Sequence, residues 1–285
     1  MTKQPIALTK KQAFALVDAV MDNDELAITA SAYENKNKEW VFEASCDQQP
    51  DLEKFNQLAS EILGGSVEFS STQIDTKTDW VSKSLKGLKP VIAGGFYIYG
   101  SHDNAHEKTD LIEIEIEAAQ AFGTGHHETT TGCLEAIEKT FKNSNPKSIL
   151  DIGTGTGVLA IAAAKLTKET IIASDIDAIA VEITKENATL NNVEKQIFTI
   201  EATGVSHHEI SKNAPYDLII ANILANPLQE LAPEIEKISN TDATIILSGI
   251  LETQAADVIN TYQQHGFALK EHLIRAEWST LILSK

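Results

Sequence analysis

Residues 148–163, SILDIGTGTGVLAIAA, constrain the fold of this chain more than any other segment. An apolar run leads into three glycines at alternate positions, Gly153, Gly155 and Gly157, and a second apolar run follows. A strand that turns into a helix through glycines lets a ligand lie against the main chain at the edge of a parallel sheet. A dinucleotide site would need glycine or alanine at Val158, and Asp151 would repel a pyrophosphate. The loop therefore suits a nucleoside with a cationic or amino-bearing tail.

From residue 148 onward, short apolar strands alternate with helices. Strands are predicted at 148–152, 170–174, 197–200, 216–221 and 244–248, and helices from Val158, over 178–192 and near 228–238. This alternation indicates a parallel sheet with helices on both faces. Only residues 275–278 separate two final strands, at 267–274 and 279–283, which is too few for a crossover helix. The sequence therefore predicts an α/β, Rossmann-like domain whose mostly parallel sheet has an antiparallel last strand.

The first 74 residues carry a smaller pattern. Two amphipathic helices, 10–21 and 51–63, flank a hairpin with strands around 28–32 and 40–45, and short strands are predicted near 6–8 and 67–69. This β-α-β-β-α-β order is that of a ferredoxin-like α+β domain. A polar helical linker is predicted at 75–90, and a strand with period-two alternation follows at 111–117. We therefore expect a small domain at 1–74, a linker at 75–90 and the larger domain at 91–285.

Charge and cysteine content limit the partners and the compartment. The 285 residues include 23 Lys and Arg against 41 Asp and Glu, so the formal charge is −18. This balance argues against binding to nucleic acid through net charge and favours a basic partner, although acidity that serves only solubility is the alternative. The sequence shows no signal peptide and no apolar run near the roughly 20 residues of a membrane helix. Two cysteines fit a reducing compartment, so a cytoplasmic protein without a membrane partner is expected.

A second carboxylate follows the strand predicted after the glycine loop. Asp175 lies 22 residues beyond Gly153, where an acidic side chain can accept hydrogen bonds from both hydroxyls of a ribose. Asp177 could share or replace that role, and a helix cap is the alternative for an acidic residue at this point. The preceding glycine loop favours ribose binding.

Three further motifs accompany the glycine loop: AFGTGHHETTTGCL at 121–134, ANILANPL at 221–228 and LSGIL at 247–251. With them the chain resembles the class I S-adenosylmethionine-dependent methyltransferases over about residues 118–285. Within that class it resembles the PrmA family, the methyltransferases of ribosomal protein L11, whose order of domains extends the resemblance to the whole chain. Two departures are Glu128, which replaces a more usual proline, and Gly132, which is expected to interrupt the following helix.

The resemblance implies S-adenosylmethionine as the cofactor and a set of residues that bind it. The residues carried over from the family are Thr130, Gly153, Asp175 and Asn222, to which Asp151, Gly155, Phe122, Gly123 and Thr124 are added as candidates. Thr130 is placed at the start of a helix, where its hydroxyl can cap the helix or bind the methionine carboxylate. His127, in the same motif, is assigned a structural or cofactor-positioning role.

Asn222 is the candidate catalytic residue. It follows the strand 216–221, and residues 222–225 resemble the Asn-Pro-Pro-aromatic loop of amine and amide methyltransferases, with Ile223 and Leu224 in place of the prolines. Its side-chain carbonyl can hold a nucleophilic nitrogen with the lone pair toward the methyl group. An asparagine that only closes a loop is the alternative. Since no aromatic residue follows, Phe122 is a candidate for enclosing the substrate.

The resemblance thus implies methylation of lysine side chains, the N-terminal α-amine, or both, in ribosomal protein L11. A monomer is expected that needs no metal and contacts no nucleic acid directly, with residues 1–74 recognising the protein substrate. His102 and His106 are interpreted as part of a polar loop rather than a metal site. The alternatives are a methyltransferase of a glutamine amide or of RNA, and a noncatalytic nucleoside-binding module that docks on the ribosome.

Overall fold

The computed structural model describes residues 8–21, 26–27, 29–35, 38–46, 49–65, 69–71, 90–100, 110–117 and 127–285. The chain divides into two compact units, Met1–Thr78 and Asp79–Lys285. Nearly all of the predicted linker lies outside the described residues, so the domain boundaries at 74 and 90 stay predictions.

The first unit contains a helix, a hairpin and a second helix. These are α1 (Lys10–Met21), β1 (Thr29–Glu34), β2 (Trp40–Ser45) and α2 (Leu52–Leu63). The strands are antiparallel, with Thr29 opposite Ser45 and Glu34 opposite Trp40. The helices bury their apolar faces against the hairpin, and the Asp51 side chain caps α2 by accepting a hydrogen bond from the Lys54 N–H.

The two outer strands predicted for this unit lie largely outside the described residues. Leu8 forms an antiparallel bridge with Trp40, and the Phe69 ring packs against the rings of Phe42 and Phe55. The central part of the ferredoxin-like order is therefore confirmed. The strands near residues 6–8 and 67–69 stay predictions.

The second unit is an α/β domain with a small additional sheet. Its described strands are β3 (Val91–Ala93), β4 (Phe96–Tyr99), β5 (Ile112–Glu115), β6 (Ile149–Ile152), β7 (Ile171–Asp175), β8 (Ile197–Glu201), β9 (Tyr216–Asn222), β10 (Ser239–Leu251), β11 (Ala268–Arg275) and β12 (Trp278–Ser284). Its described helices are α3 (His127–Asn143), α4 (Val158–Leu166), α5 (Ala178–Leu190), α6 (His208–Lys212), α7 (Ala225–Ile238) and α8 (Glu252–Gln264). The small sheet has the order β3-β4-β5, and Ile114 of its alternating strand is buried.

The main sheet has seven strands in the order β11-β12-β10-β9-β6-β7-β8. Strands β6 to β10 are parallel, and β12 runs antiparallel to both of its neighbours, as predicted from the short connection before it. Because β6 lies between β7 and β9, the carboxyl ends of these three strands meet at one edge. This edge carries Asp175 and Asn222 as the last residues of β7 and β9.

Helices cover both faces of the main sheet. Successive residues of a strand point to opposite faces, so each central strand supplies two separate cores. One core contains Ile149, Leu218 and Ile246 with residues of α3 and α4 such as Ile137 and Ile161, and the other contains Leu150, Ile219 and Leu247 with residues of α7 and α8 such as Leu228 and Val258. No helix in the described ranges is long and apolar enough to cross a membrane.

Several elements differ from the expectation, and β3 and α6 are two that were not predicted. Helix α8 was not predicted, although Ala255, Val258 and Tyr262 recur at helical spacing and are buried. The expected interruption of the helix at Gly132 is wrong, since α3 runs without a break from His127 to Asn143. A Cβ atom at Gly132 would lie 2.2 Å from Oγ1 of Thr280, so the glycine allows α3 to pack closely on β12.

Candidate active site

The glycine loop turns sharply at the carboxyl end of β6. The N–H groups of Gly153 and Thr154 both donate to the carbonyl oxygen of Ser174, at 2.8 and 2.9 Å, which fixes the loop against β7. Gly155 has a φ of +57°, and a Cβ atom there would meet nothing within 4 Å. The loop therefore presents bare main chain to open space at the edge where β6, β7 and β9 end.

The two candidate ribose acids have different partners. Asp177 caps α5 by accepting a hydrogen bond from the Ile179 N–H at 2.8 Å. Asp175 accepts from the Gly155 N–H at 2.9 Å through one oxygen and from the Asp177 N–H at 3.0 Å through the other. Each carboxylate oxygen can accept a further hydrogen bond. Helix capping is therefore performed by Asp177, whereas Asp175 lies next to the open loop.

Asp151 is a buried carboxylate at the base of the loop. Its side chain is 1% exposed, and Oδ2 accepts a hydrogen bond from the Thr154 hydroxyl at 2.7 Å. Burial raises the pKa of Asp151 to about 7, opposed by the Thr154 hydroxyl and the nearby Ala160 main chain and assisted by the charge of Asp175. Within the described residues, Oδ1 has no hydrogen-bond partner. A buried acceptor without a partner suits a cationic donor supplied by a ligand.

Asn222 ends β9 and lies opposite Ser248 of β10. The next residue, Ile223, fits between two glycines. Cβ atoms added to Gly153 and Gly249 would come within 2.4 Å of Ile223, at its side chain in the first case and at its main-chain oxygen in the second. The loop after β9 is thus held by Ile223, and the half-buried side-chain amide of Asn222 makes no hydrogen bond to any described residue.

The first turn of α3 is anchored beside Asn222 by a buried polar network. The Ser248 hydroxyl is within hydrogen-bond distance of three oxygens: Oγ1 of Thr280 at 2.8 Å, the carbonyl oxygen of Ser279 at 3.0 Å and that of Thr129 at 3.5 Å. Thr130 is the fourth residue of α3, so it lies in the first turn and is not the residue that caps the helix. Its side chain is half-buried.

Several predicted site residues lie outside the described residues. These are Phe122, Gly123 and Thr124 of the 121–134 motif, and His102 and His106 of the polar loop. His127 is described as the first residue of α3. In the part of the chain that the structure describes, no group of three or more His, Cys, Asp and Glu residues is arranged to hold a metal ion.

Sequence reasoning missed two residues that contact the glycine loop. Thr184 and Asn187 of α5 are fully buried and donate hydrogen bonds to the main-chain oxygens of Gly155 and Thr156. The sequence did contain a signal for them. Two polar residues three positions apart lie on the helix face that is otherwise apolar and packs on the sheet.

The raised pKa of Asp151 predicts a pH-dependent difference in stability between the native chain and Asp151→Asn. A carboxyl group whose pKa rises from 3.8 to about 7 on folding stabilises the chain fully below its unfolded pKa, and this contribution is lost as the pH rises through the folded pKa. The native chain should therefore lose up to about 4 kcal/mol relative to Asp151→Asn between about pH 4 and pH 8. Urea unfolding of both chains across this range measures the difference, and a difference independent of pH would contradict the assignment.

Comparison with known proteins places the whole chain in one family. The family model of ribosomal protein L11 methyltransferase, PrmA, matches residues 6–285. The ribosomal protein L11 methyltransferase of Rhodopseudomonas palustris is 41% identical over 271 residues, 95% of this chain and 91% of that protein, and the one of Brucella abortus is 40% identical over 274 residues, 96% and 95% respectively. A crystal structure of the ribosomal protein L11 methylase of Lactobacillus delbrueckii subsp. bulgaricus matches with a TM-score of 0.63 and 28% identity, covering 70% of this chain and 99% of that one. The chain belongs to the ribosomal protein L11 methyltransferase family, PrmA.

Proposed function

We propose that this methyltransferase transfers methyl groups from S-adenosylmethionine to amino groups of ribosomal protein L11, on lysine side chains, the N-terminal α-amine, or both. The observation that carries the proposal is the sheet edge that brings Asp151, Asp175 and Asn222 together in a member of this family. The alternative of a noncatalytic module would not require, beside two carboxylates, a side-chain amide that makes no hydrogen bond to any described residue.

The described residues fit the cofactor in five places. The open side of Gly155 leaves room for a ligand against the main chain, and Asp175 has acceptor capacity for ribose hydroxyls. The buried Oδ1 atom of Asp151 supports an ammonium group, because a positive donor would satisfy it. The exposed side chains of Ile176 and Ile179 add apolar surface for a flat base next to Asp175. Thr130, in the first turn of α3, is assigned to the methionine carboxylate.

Asn222 is assigned to binding and orienting the substrate amine. When bound, S-adenosylmethionine supplies a methyl group already activated by its sulfonium. The protein then has to present a neutral nitrogen whose lone pair lies in line with that methyl group. A lysine with a pKa of about 10.4 must lose its proton first, whereas an α-amine with a pKa of about 8 does so more easily. The Asn222 carbonyl can accept a hydrogen bond from the amine and orient it.

The small domain at 1–74 is assigned to recognition of the protein substrate. A ribosomal protein needs a basic face to bind RNA phosphates, and the formal charge of −18 on this chain complements such a face. The cytoplasm is the proposed site of action, because two cysteines in 285 residues fit a reducing compartment.

The proposed reaction predicts transfer of labelled methyl groups from S-adenosylmethionine to purified ribosomal protein L11. Mass spectrometry of the product should locate the label on amine nitrogens. Glutamine residues and ribosomal RNA in the same assay serve as the controls. Label on a glutamine amide, on RNA or on no acceptor would overturn the assignment to amines.

Asp175→Ala should weaken binding of S-adenosylmethionine by about 1.5 to 3 kcal/mol, the range for losing a hydrogen bond to a charged group. Asp177→Ala is the matched control, because it removes a neighbouring carboxylate that caps α5. It should lower the stability of the chain by about 1 kcal/mol and leave affinity nearly unchanged. Calorimetric titration measures both effects. A larger loss of affinity in Asp177→Ala would transfer the ribose role to that residue.

Asn222→Ala should lower kcat by about two orders of magnitude or more, since orientation of the amine acts mainly in the transition state. Affinity for the cofactor should fall much less. Asn226→Ala is the control, because Asn226 is an exposed asparagine in the first turn of the following helix. Steady-state kinetics with ribosomal protein L11 compare the three chains. Near-native turnover in Asn222→Ala would show that the loop after β9 is only structural.

A further inference from the structure

One face of α5 and its C-cap carries buried polar side chains. Thr184, Asn187 and Asn191 follow one another at spacings of three and four residues, so they share a face. Their exposed fractions are 0%, 0% and 4%. Buried polar groups are costly unless they are hydrogen-bonded, so the partners of these side chains indicate what the face is for.

Two of these side chains hold successive carbonyl groups of the glycine loop. The Thr184 hydroxyl donates to the Gly155 carbonyl oxygen at 3.0 Å, and Nδ2 of Asn187 donates to the Thr156 carbonyl oxygen at 2.8 Å. Gly155 and Gly157 both have left-handed φ angles, so neither strand nor helix hydrogen bonding continues through the loop. Helix α5 supplies the donors that the loop itself lacks.

Asn187 and Asn191 also bind the free edge of the strand that contains β5. Oδ1 of Asn187 accepts from the Glu117 N–H at 2.9 Å, and Nδ2 makes a longer contact of 3.4 Å with the Glu117 carbonyl oxygen. Asn191 repeats this arrangement with the N–H and carbonyl oxygen of Glu115, at 3.0 and 2.6 Å. The Asn187 side chain thus joins this strand to the glycine loop.

We propose that Asn187, together with Thr184, is a positioning residue that holds the glycine loop in the conformation that binds S-adenosylmethionine. The inference rests on the proposed cofactor role of that loop. With its carbonyl groups fixed toward α5, the loop keeps its open side at Gly155 toward the ligand before the ligand arrives. Loss of a donor leaves a buried carbonyl oxygen unsatisfied, and the loop then occupies other conformations in the free protein.

The test compares Asn187→Ala and Thr184→Val with Asn191→Ala in the full chain. Asn191→Ala is the matched control. It removes a similarly buried side-chain amide that binds the same strand but makes no contact with the glycine loop. Calorimetry should show affinity for S-adenosylmethionine about tenfold weaker in Asn187→Ala and Thr184→Val, as expected if the binding conformation falls to about one tenth of the population. The KM for the cofactor should rise in parallel, and kcat at saturation should change little.

A measurement without cofactor separates positioning from general loss of structure. Amide hydrogen exchange at residues 153–157 should be faster in Asn187→Ala and Thr184→Val than in Asn191→Ala, even where the unfolding midpoints of the asparagine variants are similar. Equal affinity in the native chain and both loop variants would overturn the proposal, as would an equal loss of affinity in Asn191→Ala. If Asn187→Ala does not fold, Thr184→Val decides alone. Failure of the native chain to bind S-adenosylmethionine would instead refute the proposed function.

Discussion

The site depends on the close approach of Ile223 to two glycines. The Ile223 side chain occupies the space next to Gly153, and its main chain occupies the space next to Gly249, where φ is +83°. Three segments that are far apart in the sequence, at the ends of β6, β9 and β10, can meet at one edge only because two of them lack a Cβ atom at the contact. Asn222, immediately before Ile223, takes its position from this contact. The geometry of the proposed amine site is therefore set by the packing of Ile223 and by the pairing of β9 with β10, and not by hydrogen bonds from the Asn222 side chain to described residues.

A buried carboxylate opposes the stability that this packing provides. Asp151 lies in the centre of the sheet edge with one oxygen satisfied by Thr154 and the other without a partner among the described residues. An apolar residue of similar size would fold at lower cost at the end of an apolar strand. Its raised pKa reflects that cost, because burial favours the neutral form. A cationic ligand group would offset part of the cost of burying this carboxylate. The Asp151 side chain therefore destabilises the free chain but contributes to affinity in the proposed complex.

Much of this organisation could be predicted from the sequence, because alternation of apolar strands and helices determines a parallel sheet and a short connection determines the antiparallel β12. The edge that carries Asp175 and Asn222 follows from the same rule. Side-chain partners could not be predicted in this way. Nothing local in the sequence distinguishes Asp177 as the helix cap from Asp175 beside the loop, since both carboxylates lie at or just after the end of the same strand. Gly132 was misjudged for a similar reason, because the Thr280 side chain that requires a glycine is 148 residues away in the sequence. Helix propensity describes the cost of glycine in an isolated helix and not the gain from close packing.

The two main-chain polar groups of Gly155 are bound by different elements, β7 and α5. Its N–H is bound by Asp175, and its carbonyl oxygen is bound by Thr184, so both polar groups of the peptide backbone at this residue have partners within the protein. The ligand-facing side of the loop is therefore shaped by residues on β7 and α5 rather than by the loop alone. Such a loop loses little conformational entropy when a ligand binds, because the protein has already restricted it. Affinity for a nucleoside at this edge consequently depends on a second layer of buried polar side chains. The glycine motif in the sequence indicates where the ligand binds, but it does not identify the buried polar side chains that hold the loop.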